Sequence, residues 1–236
     1  GELVLLVGNH ELLNTQGRIS YVHGYSRTGP ATGELAASGG AATWRARFNP
    51  QSGDLGSEIA KQAGLAVRGS GACRTLFVHA GVRLQIARQY GSVDAINKAL
   101  REQLVSNQGD LLDPYQGPLW YRGFARPHMS GMSEPDVCAE IDETVKELGA
   151  HRMAVGHNIV PWISTRCAGS LHLLDVGMSS AYGGHPAAWR CELDGGRPNI
   201  QALYTDAEPH KPPDLCSQCG LATPRTQGWW DCKDYC

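Results

Sequence analysis

LVLLVGNHE, residues 3–11, places a short apolar run directly before an amide, an imidazole and a carboxylate. Five consecutive apolar residues predict a buried strand, because a run this short suits a strand better than a helix. Gly8 permits a sharp turn without a clash at Cβ. Asn9, His10 and Glu11 then follow at the end of the strand, where open α/β sheets place their chemistry.

Two further apolar runs end in the same way. Residues 76–78 (LFV) lead into His79, and residues 153–155 (MAV) lead into Gly156 and His157. Packing explains one such histidine more easily than three at equivalent strand ends. Neutral imidazole and amide oxygen are suitable ligands for divalent Mn, Fe or Zn. The repeated pattern therefore predicts a metal centre.

The ordered motifs GNHE (8–11), FVHAG (77–81) and VGH (155–157) resemble the calcineurin-like metallophosphoesterase superfamily. Within it, the chain resembles the PPP-type Ser/Thr phosphatases and most closely their bacterial-like Shewanella-like branch, as LWYRG (119–123) and LDVGMS (174–179) support. The resemblance implies an α/β fold, an αββα sandwich of two mixed sheets flanked by helices, with the metals at one sheet rim.

Two motifs that the family places before GNHE, GDxHG and GDxxDRG, do not occur in this chain. We therefore expect an N-terminally truncated phosphatase that lacks the first strands of the fold. In the family these motifs supply the ligands of one metal and the carboxylate that bridges both metals. We expect impaired activity from residues 1–236 alone, because half of the dinuclear site is absent.

The resemblance assigns roles to five residues. Asn9, His79 and His157 would ligate one of two divalent ions (Mn, Fe or Zn), and a hydroxide held by the ions would attack phosphorus. His10 matches the general acid that protonates the departing alkoxide. Arg122 matches the arginine that clamps the phosphate. The implied reaction is hydrolysis of a phosphomonoester, with a phosphorylated protein as the expected substrate.

Other residues near these motifs receive weaker assignments. Glu11 is expected to fix the turn, and Asp175 is either a similar supporting group or an ordinary turn aspartate. Trp120 and Tyr121 are expected to pack rather than to bind substrate. Whether the turn at residues 182–184 lines the pocket stays open.

Two alternative functions remain. One is a small-molecule phosphatase on the same scaffold, for instance one that cleaves dinucleoside tetraphosphates. The other, from a different class, is a non-catalytic binding protein. Assays with phosphopeptides and with diadenosine tetraphosphate would separate the enzymes.

The composition is that of a globular protein of 236 residues with 42% apolar residues. A net charge of -2 argues against a nucleic-acid partner. No apolar run approaches the roughly 18 residues of a membrane span, and the compartment is left open. We predict a partial catalytic domain over residues 1–195 and a Pro/Cys-rich tail over residues 196–236.

The eight cysteines fall into two groups of four. One group is scattered through the domain: Cys73, Cys138, Cys167 and Cys191. The other group crowds the tail: Cys216, Cys219, Cys232 and Cys236. The tail spacings, C-x2-C and C-x3-C, permit either a structural zinc site or disulfides.

Hydrophobic periodicity, together with glycine-rich stretches and capping residues, predicts the remaining helices, strands and loops. One helix is expected to start at residue 12 and to lead towards residue 22. Three further helices are expected over residues 57–66, 92–105 and 133–148. Ser92 and Ser133 are the expected N-caps of the last two. Residues 27–43, rich in glycine and small residues, predict a loop. Strands are expected at residues 75–78, 153–155, 171–176 and 187–193.

Overall fold

A computed structural model describes residues 1–179, 182 and 184–205. The strands in this part are β1 (Leu65–Arg68), β2 (Thr75–Val78), β3 (Arg152–Val155), β4 (Ser164–Arg166), β5 (Leu171–Leu173), β6 (Ala187–Asp194) and β7 (Arg197–Tyr204). The α-helices are α1 (Asn9–Thr15), α2 (Gly33–Ala37), α3 (Ala41–Arg47), α4 (Asp54–Ile59), α5 (Leu84–Tyr90), α6 (Val93–Ser106), α7 (Pro127–Ser130) and α8 (Glu134–Glu147). Short 3-10 turns cover Gly71–Cys73, Asp110–Leu112 and Cys167–Gly169.

The strands form two sheets. The larger is mixed, in the order β1-β2-β3-β5-β4, and the smaller is the antiparallel hairpin β6-β7. Strands β2, β3 and β5 run parallel, while the edge strands β1 and β4 are antiparallel to their neighbours. The predicted mixed α/β class is therefore confirmed, with the second sheet reduced to two strands in the described residues.

The hydrophobic core lies between the larger sheet and the helices that flank it. Strands β2 and β3 contribute buried apolar side chains, as do the inward faces of α6 and α8. The core includes Leu76, Val78, Met153, Val155, Ile96, Leu100, Leu104, Val137 and Ile141. These side chains hold β2 and β3 side by side, which sets the position of whatever follows each strand.

The two long helices match the predicted ones closely. Ser92 Oγ accepts a hydrogen bond of 3.2 Å from the Ala95 N–H, and so caps α6. Ser133 Oγ accepts a hydrogen bond of 3.4 Å from the Asp136 N–H at the start of α8. Both caps satisfy backbone donors that the first helical turn leaves unpaired.

The predicted first strand is wrong in its extent. Residues 3–7 make a single parallel bridge, between Leu6 and Ala63. Leu3 is 84% exposed and Leu5 is 58% exposed, while Val7 is fully buried. Residues 3, 5 and 7 share one face of an extended chain, so the core covers this face at Val7 and leaves it open towards Leu3.

Predictions between residues 12 and 66 also need correction. Helix α1 begins at Asn9, inside the motif, and ends at Thr15. The expected loop at 27–43 contains α2 and the first three residues of α3, and the buried Leu35 anchors α2. The expected helix at 57–66 ends at Ile59, and β1 begins at Leu65. Tertiary contacts override the weak local pattern in each case.

Asn97 gives the physical reason for the last of these differences. Its buried Oδ1 accepts hydrogen bonds from the N–H groups of Gly64 (2.9 Å) and Leu65 (3.0 Å), and its Nδ2 donates to the Leu65 carbonyl at 2.8 Å. These bonds tie α6 to the start of β1 and hold residue 65 in a strand.

The hairpin β6-β7 extends the folded part beyond the predicted boundary at residue 195. All eight residues of β7 pair with β6, so the first part of the segment predicted as a tail (196–236) forms a strand. The predicted strand at 171–176 stops at Leu173. The tail cysteines Cys216, Cys219, Cys232 and Cys236 lie outside the described residues, and so do Ser180, Ala181 and Gly183.

Two disulfides join separate elements of the domain. Cys73 bonds to Cys191 and thereby links the turn before β2 to β6. Cys138 bonds to Cys167 and links α8 to the turn after β4. Within the described part of the chain, no helix has both the length and the apolar character needed to cross a bilayer.

Candidate functional site

Parallel pairing of β2 with β3 brings two of the candidate histidines to one edge of the sheet. Val78, the last residue of β2, lies opposite Val155, the last residue of β3. His79 and His157 follow these residues at adjacent strand ends. The backbone at Val7 is fixed beside the start of β1, whose first residue pairs with Val78, by a 2.9 Å hydrogen bond from the Val7 N–H to the Ala63 carbonyl. The first residue of α1 is therefore held nearby.

Asn9, His79 and His157 form what we call the Asn–His–His cluster. The Nε2 atom of His79 lies 2.7 Å from Oδ1 of Asn9 and 3.1 Å from Nδ1 of His157. His157 has a φ of 64°, a left-handed conformation that is uncommon for histidine. Such strain is concentrated at functional sites in proteins.

Both histidines of the cluster are held neutral. Burial, together with electrostatic interactions with His10 and Arg122, lowers the pKa of His79 to about 4. Burial, Arg122 and the neighbouring imidazoles lower the pKa of His157 to about 2. Near pH 7 each ring therefore keeps an unprotonated nitrogen with a free lone pair.

The donor set suits a divalent cation. Nε2 of His79 carries at most one proton, yet it faces both an amide oxygen and a ring nitrogen. A cation among these atoms would satisfy them together, and neutral imidazole is a common ligand of divalent transition metals. The three groups are uncharged, so they do not offset the charge of such an ion.

Gly8 is needed here for space rather than for a special backbone conformation. Its φ of -111° is accessible to any residue, so the turn from the extended segment into α1 does not itself require glycine. A Cβ on Gly8 would lie 2.8 Å from Nδ1 of His79. The Glu11 carboxylate accepts a 2.9 Å hydrogen bond from the Gly8 N–H, which matches the expected role of Glu11 in fixing the turn.

A cavity of about 320 Å³, which we call the His79 cavity, opens beside the cluster. All five residues predicted for the site within the domain line it: Asn9, His10, His79, Arg122 and His157. Further lining residues include Asp175, Met178 and Tyr182. Oδ1 of Asp175 accepts a 2.9 Å hydrogen bond from the Gly177 N–H, as a turn aspartate does.

Arg122 is fixed against the strand end that carries His157. Its Nη1 donates to the carbonyl of His157 at 3.3 Å and to Oδ1 of Asn158 at 3.0 Å. Trp120 meets the His157 ring edge to face at 5.9 Å, and Tyr121 is 3% exposed. These two aromatic residues pack, as predicted.

Arg166 on β4 supports the segment that carries Arg122. Its Nη1 donates 2.8 Å hydrogen bonds to the carbonyls of Phe124 and Ala125. It also forms an ion pair with Glu134 at the start of α8. The segment is therefore tied to both a strand and a helix.

Sequence reasoning missed two neighbours of the site. Asn158 is 1% exposed, and its Oδ1 accepts a hydrogen bond that orients Arg122. Its position directly after His157 could have identified it from the sequence as a neighbour of the site. The ring of Tyr21 lies 5.4 Å from that of His10, between their centroids. No pattern in the sequence pointed to Tyr21.

A second group of side chains that could in principle ligate a metal ion occurs among the described residues: Glu134, Cys138 and Cys167. It does not suit an ion. Its two cysteines are bonded to each other and its carboxylate is paired with Arg166.

Comparison with known proteins gives distant relatives. No protein-family model matches the chain. The chain is 28% identical over 211 residues to an uncharacterized protein of Schizosaccharomyces pombe, in an alignment that covers 86% of this chain and 59% of that protein. It is 25% identical over 181 residues to an uncharacterized protein of Acanthamoeba polyphaga mimivirus, covering 66% of this chain and 69% of that protein.

Solved structures confirm the fold. The chain is similar to the cold-active protein tyrosine phosphatase of a psychrophilic Shewanella species, with a TM-score of 0.57 and 18% identity over 79% of this chain and 53% of that chain. A mutant of a cold-active protein tyrosine phosphatase gives a TM-score of 0.58 at 17% identity. The chain thus spans about half the length of these structural neighbours and 59% of the fungal relative.

Proposed function

We propose that this chain is a metal-dependent phosphomonoester hydrolase of the calcineurin-like superfamily, of the PPP type and its Shewanella-like branch, that acts on phosphorylated protein. One observation carries the proposal. The Asn–His–His cluster, a histidine and an arginine converge on a single cavity at the ends of two parallel strands. The structural likeness to phosphatases, at the level of the fold, supports the same interpretation.

The Asn–His–His cluster would hold one divalent ion, Mn, Fe or Zn. When bound, the ion supplies Lewis-acid activation of water and of the phosphate oxygens. In the resembled family a second ion and the bridging carboxylate depend on motifs that residues 1–236 do not contain. Because the three ligands of the cluster are uncharged, we expect weak metal binding where no such carboxylate is present.

The remaining residues of the cavity perform binding and proton transfer. Arg122 grips two phosphate oxygens with its planar guanidinium and stabilises the charge that builds up on them. A water-derived oxygen forms a new bond to phosphorus while the bond from phosphorus to the ester oxygen breaks. The leaving ester oxygen takes the proton of His10, so an alcohol and inorganic phosphate are released.

The test combines metal binding with turnover in the full-length gene product, with residues 1–236 measured in parallel. We expect Mn²⁺ to bind and to support hydrolysis of p-nitrophenyl phosphate and of a phosphoserine peptide. Asn9→Ala and His79→Ala should each abolish both properties. His128→Ala is the matched control, because this histidine is exposed and does not line the cavity.

Each alternative function has its own outcome. Faster cleavage of diadenosine tetraphosphate than of any phosphopeptide would favour a small-molecule phosphatase. Metal binding without turnover on any of these substrates would favour a non-catalytic binding protein. Unchanged Mn²⁺ affinity in His79→Ala would contradict the assignment of the cluster. The zinc site of the tail stays a prediction, and less than stoichiometric zinc in the isolated tail, residues 196–236, would count against it.

A further inference from the structure

We propose that Asn158 is a positioning residue for phosphate binding, whose buried and uncharged amide holds the guanidinium of Arg122 in place without cancelling its positive charge. The inference rests on the proposed function, because it takes Arg122 as the group that binds the phosphate. It goes beyond that function by assigning a requirement for a neutral acceptor to a residue outside the motifs of the sequence.

Asn158 belongs to a strained turn that it shares with a residue of the Asn–His–His cluster. Its N–H donates a 2.7 Å hydrogen bond to the carbonyl of Gly156, and His157 between them has a φ of 64°. A γ-turn with positive φ is the rarer and more strained form of this turn. The imidazole of His157 meets His79, whereas the side chain of Asn158 meets Arg122. One short turn therefore serves both the candidate metal ligands and the candidate phosphate ligand.

Two uncharged oxygens hold Nη1 of Arg122. Oδ1 of Asn158 accepts a hydrogen bond from it at 3.0 Å, and the carbonyl of His157 accepts one at 3.3 Å. Because a guanidinium is planar, two acceptors on one of its nitrogens fix the plane in which all its N–H groups point. The carbonyl is main chain, so Asn158 is the part of this arrangement that depends on the identity of a side chain.

The neutrality of the amide at position 158 suits the binding of an anion. A carboxylate of the same shape would form a charge-assisted pair with the guanidinium and would repel a phosphate at short range. The amide oxygen accepts the same hydrogen bond and leaves the positive charge of Arg122 to the phosphate. An apolar side chain of this size would spare the charge but would not direct it.

The environment of Asn158 argues against a stabilising role. The residue is 1% exposed, and its Nδ2 has no hydrogen-bond partner among the residues that the structure describes. A buried donor without an acceptor lowers stability, and such groups are rare in folded proteins. Turning the amide over would set its N–H groups against those of Arg122, so the oxygen has to face the guanidinium. Leucine has a similar shape and no unsatisfied donor, and therefore should not reduce the free energy of unfolding.

The first test measures the affinity for inorganic phosphate by calorimetry, on the full-length gene product at saturating Mn²⁺. We expect Asn158→Leu to weaken phosphate binding about tenfold, as expected for loss of a hydrogen bond to a charged group. Asn158→Asp keeps the acceptor but adds a charge, and it should weaken binding at least as much. Mn²⁺ affinity and the midpoint of urea unfolding should not fall in Asn158→Leu. Asn199→Leu is the matched control, because this asparagine on β7 is exposed and does not line the His79 cavity.

A double-mutant cycle on kcat/KM for p-nitrophenyl phosphate then separates positioning from a structural effect. With Arg122→Ala already present, Asn158→Leu should lower kcat/KM no further, because no guanidinium remains to be held. A further loss in that background overturns the inference, and so does a loss of Mn²⁺ affinity as large as the loss of phosphate affinity. Phosphate binding as tight in Asn158→Asp as in the parent protein also overturns it, while the proposed function stands. Failure of the parent protein to bind phosphate removes the proposed function itself.

Discussion

The Nδ1 atom of His157 lies 3.1 Å from the Nε2 atom of His79, although 78 positions separate the two residues in the sequence. The contact is a direct result of strand register, because the last residues of β2 and β3 face each other in a parallel pair. The two histidines thus follow the ends of paired strands, and their contact depends on the register of the sheet.

Replacing Gly8 by alanine should damage the Asn–His–His cluster. The new Cβ would meet Nδ1 of His79 at 2.8 Å, so the imidazole or the backbone must shift. We expect Mn²⁺ affinity to fall by about tenfold or more, in line with the cost of overpacking. Titration with Mn²⁺ measures it. Gly156→Ala is the control, since its Cβ would lie 3.6 Å from the carbonyl oxygen of His79, an ordinary contact. Equal losses of Mn²⁺ affinity in the two variants would argue against the steric explanation.

Arg122→Lys should impair phosphate binding despite the retained charge. Lysine cannot hold the two acceptors on residues 157 and 158 and also grip two phosphate oxygens, because it lacks the planar fork. We expect kcat/KM for p-nitrophenyl phosphate to fall by roughly 10²-fold, the usual loss for one transition-state donor. Steady-state kinetics decide the point. Arg88→Lys, at an exposed ion pair on α5, should behave like the parent protein.

His172 should make the domain less stable in acid. Burial, with the positive charge of Arg152, lowers the pKa of His172 to about 4. An unfolded histidine titrates near 6.5, so below that pH the unfolded state binds more protons than the folded state. The free energy of unfolding should therefore fall as pH drops from about 6.5 to about 4, by up to about 3 kcal/mol from this residue.

Urea unfolding at several pH values, compared with His172→Gln, isolates this contribution. The variant should lose less stability between neutral pH and pH 4 than the parent protein. His151→Gln, at an exposed position, should keep the parent slope. Parallel pH profiles for the parent and His172→Gln would show that His172 does not couple folding to protonation.

Removal of the Cys73–Cys191 disulfide should weaken the domain more than removal of the other bond. Its cysteines are 118 positions apart, against 29 for Cys138–Cys167, and stabilisation rises with the length of the closed loop. We expect the double serine variant at 73 and 191 to lose roughly 2–5 kcal/mol of unfolding free energy. Urea unfolding of the two double variants makes the comparison, and a larger loss for the shorter loop would reverse the prediction.

Local patterns were sufficient to place the candidate site. His79 and His157 follow short apolar strands that needed no knowledge of distant contacts, and the structure brings them beside Asn9. Ser92 and Ser133 begin their helices as capping residues do. The chemical roles of these site residues are still predictions, since the geometry alone does not assign them.

Elements that depend on distant contacts were missed. Strand β1 pairs with β2, and its start is fixed by Asn97, which binds the backbone N–H groups of residues 64 and 65 from 33 and 32 positions away. Helix α3 is held by the hydrogen bond from Trp44 to Asn14. Strand β7 follows a composition change that resembles a tail, yet it completes a hairpin. None of these contacts leaves a periodic signal.

The hydrogen bonds of Arg166 make it a position outside the cavity at which a substitution is expected to abolish the proposed activity. Arg166 holds carbonyls that lie 42 and 41 positions earlier in the chain, in the segment that carries Arg122. A neutral residue at position 166 would release that segment while leaving every cavity-lining side chain unchanged. A genetic screen for inactive alleles should therefore recover substitutions of Arg166 alongside those of the cavity itself.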